Sequence, residues 1–267
     1  MKRKIDNAEI KSILLGLLEE FDFICRQNNL KYSLCGGTML GAIRHKGFIP
    51  WDDDVDIFML REDYEHFLVA FNKTKRKKYL KILNYFSRGY TAPFCKIVDT
   101  RTYSEENKRT EKLGVWIDLH VIDLMPSKDI NFYSDVIRSL NEIRYYGSRN
   151  YFSKNSKMTL STAFKNLIKL LLRPYKKIKE RNKIESFIKT NRGKCEVSFS
   201  FGDKVKFWCN ITNLDFTDLI EVPFENLHVL CIKNYDIYLK AKYGNYMEIP
   251  KPEERVLHDV KCCYWKR

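Results

Sequence analysis

The run Phe48-Ile49-Pro50-Trp51-Asp52-Asp53-Asp54-Val55-Asp56-Ile57 places four carboxylates within five positions. Carboxylates so close together repel one another unless a cation neutralises them. Asp54 and Asp56 stand two residues apart where the acidic run enters an apolar segment, residues 55–60. On a strand, positions i and i+2 leave the same face, so both carboxylates point one way while Val55 and Ile57 turn to the core. Two carboxylates on one face of a rigid strand form a hard-oxygen site suited to Mg²⁺ (or to Mn²⁺, with the same ligands), which binds one or two carboxylates together with substrate phosphates. A solvated acidic turn would account for Asp52 and Asp53 but not for charges that continue into an apolar strand. A calcium loop is excluded: positions 52, 54 and 56 match its first three ligands, but Ile57 stands where that loop requires glycine.

Fifteen or so residues upstream, Gly36-Gly37-Thr38 offers what a phosphate needs. Two glycines let backbone approach closely, and the N–H groups opening the next helix point at an anion. Thr38 is expected to be the N-cap of a helical turn over 39–45, closed by Gly47. Arg44, His45 and Lys46 then supply three cations in succession; Arg44 and His45 are the candidate phosphate contacts. A third carboxylate should complete the site. Asp118, in Val115-Trp116-Ile117-Asp118-Leu119-His120, sits within an apolar strand, where an unpaired charge would be costly. Asp123, nearer Pro126, competes for that role.

Regular elements must position these groups. Ile10, Ile13, Leu14, Leu17, Leu18, Phe21 and Ile24 recur at 3–4-residue spacing, which predicts an amphipathic helix ending at Asn28-Asn29. Strands are expected over 32–35, 55–60, 80–85, 94–98 and 115–121, and short helices over 64–71 and 235–242, the latter stopping at Gly244. Residues 132–144 read as helix. The pattern predicts one α+β domain, a mixed sheet flanked by helices. Residues 1–130 would form the core and 131–194 a basic helical insert interrupted at Pro174. Residues 195–267 would be a C-terminal part that completes the domain.

The 267 residues carry 48 Lys+Arg against 34 Asp+Glu, a net charge of +14. Residues 154–194 account for +11 of it and 73–81 for +6, which leaves a mildly acidic body of −3. A nucleic-acid binder basic throughout would not be distributed in this way, and no nucleic-acid partner is expected. Phe164, Leu167, Ile168, Leu171, Tyr175 and Ile178 share one face of the basic segment, with Lys165, Lys169, Arg173, Lys176 and Lys177 on or beside the other. That pattern suits either shallow insertion at an anionic membrane surface or packing on the core. The basic start is broken by Asp6, Glu9 and Lys11, so no secretory signal is expected. The expected location is the cytoplasm, with 154–194 a means of peripheral attachment to the inner face of the membrane. Eight Cys without a CxxC spacing are expected to be free thiols.

The ungapped stretch from Gly36 through Arg44, His45, Lys46 and Trp51 to Asp56 resembles the LicD family of phosphotransferases, which is related to the fukutin-type proteins. Lys96-Ile97-Val98-Asp99-Thr100, Trp116-Ile117-Asp118, Pro223-Phe224-Glu225 and Tyr243-Gly244-Asn245-Tyr246-Met247, with Pro250, Arg255 and His258 behind, fit the same pattern. The resemblance covers most of the chain and is weakest over 130–194. It implies a nucleotidyltransferase-like fold in which Asp54, Asp56 and Asp118 hold metal while Gly36, Gly37, Thr38, Arg44, His45 and Lys96 bind the nucleotide. It further implies transfer of a phospho-alcohol, phosphocholine from CDP-choline first and another CDP-alcohol next. The acceptor it implies is a hydroxyl of a surface glycan (lipopolysaccharide, teichoic acid or capsule) or of a lipid-linked precursor. Choline's quaternary ammonium calls for aromatic walls; Tyr243, Tyr246 and Trp51 are candidates. Two other readings share parts of this evidence: an NTP-dependent nucleotidyltransferase acting on a small molecule or RNA, and a non-enzymatic basic module that binds RNA or membrane through 154–194.

Overall fold

The computed structural model of the protein describes residues 3–84, 87, 95–104, 113–125, 197–200, 214–255 and 263–266. The expected insert 131–194, with its membrane-facing stripe, lies outside the described residues, as do the helix expected over 132–144 and His258.

The first helix, α1 (Asn7–Gln27), begins with a reciprocal cap. The Glu9 amide donates to Asp6 Oδ1 at 2.8 Å and the Asp6 amide to Glu9 Oε2 at 3.4 Å. Its apolar stripe of Ile10, Leu14, Leu17, Leu18, Phe21 and Ile24 is buried, and it packs on β4, β6 and α3, introduced below. Glu20 interrupts the stripe and is fully buried. Its carboxylate accepts the amides of Arg76 (2.5 Å) and Lys77 (3.2 Å) and pairs with the Arg76 guanidinium at 3.0 Å. A buried charge is tolerable only with such partners; here it anchors the basic run 73–81 to the body.

After α1 come β1 (Ser33–Leu34), α2 (Gly36–His45), β2 (Asp56–Leu60), α3 (Arg61–Thr74) and β3 (Leu80–Leu83). Then follow β4 (Cys95–Asp99), β5 (Thr102–Ser104), β6 (Trp116–Met125) and β7 (Val197–Ser200). A hairpin of β8 (Leu219–Phe224) and β9 (Leu227–Ile232), helix α4 (Tyr235–Tyr243) and β10 (Cys263–Trp265) complete the described chain. The main sheet runs β1-β2-β6-β4-β3, with β7 also on β6. β2 and β6 are parallel and the other pairs antiparallel, so the sheet is mixed and the fold is α+β, as expected. The long β6 pairs with β4 along 116–119 and with β7 along 122–125. Among the described residues no helix is long and apolar enough to cross a membrane. Cys25, Cys35, Cys95, Cys231 and Cys263 are buried free thiols.

Several local expectations differ from the structure: β2 begins at Asp56, so Asp54 precedes the strand on which it was expected, and the start of α2 differs as well. Helix α2 starts three residues earlier than expected, at Gly36, with Cys35 as its N-cap. Thr38 is therefore inside the first turn, and its hydroxyl accepts the Asp56 amide at 2.8 Å instead of capping the helix. At the other end the left-handed residue is Lys46 (φ 61°), not Gly47. Gly47 is needed for room: a side chain there would collide with the Glu225 carboxylate. Glu225, in the two-residue turn between β8 and β9, itself takes a left-handed φ of 55°. Its carboxylate accepts the Phe48 amide at 3.0 Å and its amide donates to the Lys46 carbonyl at 2.8 Å, bonds that hold this unusual conformation. The hairpin thus clamps the loop that leads from α2 into the acidic run.

Candidate active site

Sheet register assembles the site. Asp56 at the start of β2 lies opposite Asp118 in β6, and Asp118 lies opposite Lys96 in β4. Cross-strand partners share a face, so the three form a row, Lys96–Asp118–Asp56, across three strands. The Lys96 ammonium is 2.5 Å from Asp118 Oδ1, and the Trp116 indole donates to Asp118 Oδ2 at 3.2 Å. Lys96 is only 2 % exposed, with its ammonium 4.0 Å from the centre of the Trp116 ring. Burial of that cation is offset by the carboxylate and by the ring face.

Asp56 Oδ1 lies 3.2 Å from His120 Nε2. Burial favours the neutral form of Asp56, but the hydrogen bond and charge of His120 prevail, assisted by Lys242 and Lys96, and hold its carboxyl below the usual range. Asp54 behaves in the opposite way. Burial first, then the charges of Asp56, Asp52, Asp118 and Asp53, push its carboxyl up to about 9. The same carboxylates that disfavour the Asp54 anion form a ready receptor for a cation.

Helix α2 points its N-terminus at this cluster. A first turn leaves N–H groups without intrahelical acceptors. That of Gly36 donates to the Tyr238 hydroxyl at 3.0 Å, and Cys35 makes no side-chain cap, so the amides of Gly37 and Thr38 are the first-turn donors available to an anion. Gly36 has φ 57°, a conformation that suits glycine. A Cβ on Gly37 would stand 2.5 Å from Asp52 Oδ2, so the second glycine lets the acidic loop close over the helix start.

The remaining predicted residues are more dispersed. Arg44 donates to the carbonyls of Tyr246 (2.7 Å) and Glu248 (3.0 Å), and to His45 Nε2 at 3.0 Å. These bonds tie α2 to the segment after α4. His45 meets the Trp51 ring edge-on at 6.3 Å; burial and the Arg44 charge lower its pKa. The Arg255 guanidinium lies 4.2 Å from the centre of the Trp51 ring. Tyr246 is buried, its hydroxyl donating to Asp236 at 2.9 Å. Tyr243 is exposed as a residue, and its phenol is pushed up by burial and by the charges of Cys35, Asp56, Asp52 and Asp54. Asp123 lies five positions beyond Asp118 in β6, in register with Phe199.

Two groups at the site are absent from the residues predicted from sequence. Lys242, near the end of α4, brings its ammonium to 3.6 Å from where a Cβ on Gly36 would stand, beside Asp56. In sequence it is one lysine among 48 Lys+Arg. His120 had a usable signal: it lies at i+2 from Asp118, so a strand puts both on one face.

Residues 29–143 match the family described as "LicD/FKTN/FKRP, nucleotidyltransferase domain". The chain is 28% identical over 268 residues to the lipopolysaccharide cholinephosphotransferase LicD of Haemophilus influenzae, covering 98% of this chain and 99% of that protein. It is also 46% identical over 54 residues to an uncharacterized protein of Rickettsia typhi (20% of this chain, 18% of that one). Over 53 residues it is 45% identical to an uncharacterized protein of Rickettsia prowazekii (20% of each).

Proposed function

We propose that this chain, whose residues 29–143 match the LicD family's nucleotidyltransferase domain, transfers a phospho-alcohol group, phosphocholine from CDP-choline first, to a hydroxyl of a cell-surface glycan or its lipid-linked precursor. The observation that carries the reading is the register of Asp56 against Asp118, which brings the two carboxylate segments to one face beside the N-terminus of α2. The end-to-end similarity to a cholinephosphotransferase supports the donor class.

Asp54, Asp56 and Asp118 would hold Mg²⁺. The donor set is all hard oxygen, which suits that ion. When bound, the ion neutralises pyrophosphate charge and polarises the phosphoryl oxygens. The amides of Gly37 and Thr38 donate to pyrophosphate oxygens at the positive end of α2. Thr38 also holds the Asp56 backbone at 2.8 Å, which keeps the helix start and the carboxylate strand in fixed relation. Lys96 and Trp116 fix both oxygens of Asp118, each of which keeps a further lone pair for an ion or for the proton of the attacking hydroxyl. The acceptor oxygen attacks the distal phosphorus in line; its bond to phosphorus forms as the bridging P–O bond breaks, and CMP leaves. Positioning and charge stabilisation supply most of the acceleration.

Labelled CDP-choline, CDP-ethanolamine and CDP-ribitol, each with Mg²⁺, should give CMP release, greatest with CDP-choline. Pyrophosphate release from an NTP, with no CMP from any CDP-alcohol, would replace this reading with nucleotidyl transfer.

A further inference from the structure

The hard-oxygen set does not use two groups that converge on Asp56. Cys35 Sγ, an Asp56 carboxylate oxygen and His120 Nε2 all lie within 4.8 Å of one another. Thiolate, imidazole and carboxylate are the donors that Zn²⁺ and related ions take, whereas Mg²⁺ and Ca²⁺ prefer oxygen alone. Ligands at roughly 2.0–2.1 Å from a tetrahedral ion stand about 3.3 Å apart, and Asp56 Oδ1 and His120 Nε2 are already 3.2 Å apart. The thiol must close by roughly an ångström or so to reach the longer Zn–S bond, within what a side-chain torsion supplies.

Three separate segments bring these donors together and hold them. Cys35 lies between β1 and α2, its amide bonded to the Asp56 carbonyl at 3.1 Å. Asp56 opens β2, and His120 lies in β6 opposite Phe58, whose ring meets the imidazole edge-on at 6.1 Å. Cys35 is 1% exposed, and the side chains of His120 and Asp56 are 13% and 24% exposed. The cluster therefore has an open side at the carboxylate and a closed one at the sulfur. Three protein ligands with one open position is the pattern of an ion that also meets a small ligand.

We propose that Cys35, Asp56 and His120 form a site for a divalent transition-metal ion of zinc-like chemistry, next to the hard-oxygen set and sharing Asp56 with it. Such an ion binds as the Cys35 thiol gives up its proton. The site stands apart from the transferase reading, since it needs neither nucleotide nor acceptor.

Chelator-treated full-length protein titrated with Co²⁺ provides the test. One Co²⁺ per chain should bind with a near-ultraviolet thiolate-to-cobalt charge-transfer band, which Zn²⁺ abolishes and excess Mg²⁺ does not. Cys35→Ser should remove the band, with circular dichroism reporting an intact fold. His120→Gln, at a partly exposed position, should keep the fold and weaken Co²⁺ binding by at least the roughly tenfold that loss of even an outer-shell partner brings. That variant decides the matter should Cys35→Ser not fold. A titration with no charge-transfer band would overturn the site, as would a band that survives Cys35→Ser or an affinity unmoved by His120→Gln. The remaining role of His120 would then be to orient Asp56. These outcomes are independent of CMP release, so neither proposal stands or falls with the other.

Discussion

Replacing Asp118 with Asn removes one negative charge at nearly constant shape and deprives the buried Lys96 of the carboxylate that it pairs with. The ammonium is 2 % exposed and 2.5 Å from the carboxylate, which is itself 16 % exposed. Breaking a buried pair by removing one partner costs about 3–5 kcal/mol. The Trp116 face, 4.0 Å from the ammonium, offsets roughly 1 kcal/mol or more of that, and the new amide oxygen retains one hydrogen bond. The expected destabilisation of Asp118→Asn is therefore about 2–3 kcal/mol, or a Tm lowered by roughly 4–6 °C at this chain length. Urea unfolding followed by tryptophan fluorescence and circular dichroism measures it. Lys96→Met combined with Asp118→Asn removes the cation together with its carboxylate and should recover at least about 1 kcal/mol, a coupling that independent sites would not show. If Asp118→Asn unfolds within about 0.5 kcal/mol of the unaltered protein, the pair is not the buried ion pair described here. The row of charges across the sheet would then lack its structural role.

Asp54→Asn and Asp56→Asn should each abolish CMP release while keeping the fold, with Asp54→Asn raising metal-free stability by about 1 kcal/mol through relief of carboxylate repulsion; EDTA should mimic both, and retention of more than a tenth of the rate in either would refute the metal assignment. The Asp54 carboxyl titrates near 9 in the folded protein against its ordinary 3.8, so between those values the folded chain holds a proton the unfolded chain has lost. Stability of the metal-free protein should fall as pH rises through that window, and Mg²⁺ binding at pH 7 should release about one proton per ion; calorimetry in two buffers of different ionisation enthalpy that finds no proton release would refute this. For residues 154–194, co-sedimentation with anionic but not neutral vesicles, weakened by salt and by Leu171→Glu, is expected, and equal indifference to both lipids would leave no membrane role.

What the sequence by itself determined follows from periodicity and local chemistry. The apolar spacing of α1, the alternation of charge and aliphatic side chains at 54–57, and Gly244 at the end of α4 are properties of neighbours in the chain. They are visible because a helix or strand repeats over a few residues. The clustering of Asp52 to Asp56 after Gly36-Gly37 belonged to the same order of evidence. Tertiary structure decided the rest. That Asp56 faces Asp118, and that Lys96 faces Asp118 in turn, is set by strand register, which depends on pairing between segments some twenty to sixty residues apart. Thr38 serves the Asp56 amide instead of a helix end because β2 passes beside α2. Gly47 is a glycine because Glu225, on a hairpin far along the chain, occupies the space its side chain would need. Lys242 and His120 join the carboxylates for the same reason: packing brings charges together that no local pattern can pair, and only the folded chain sets which of them meet.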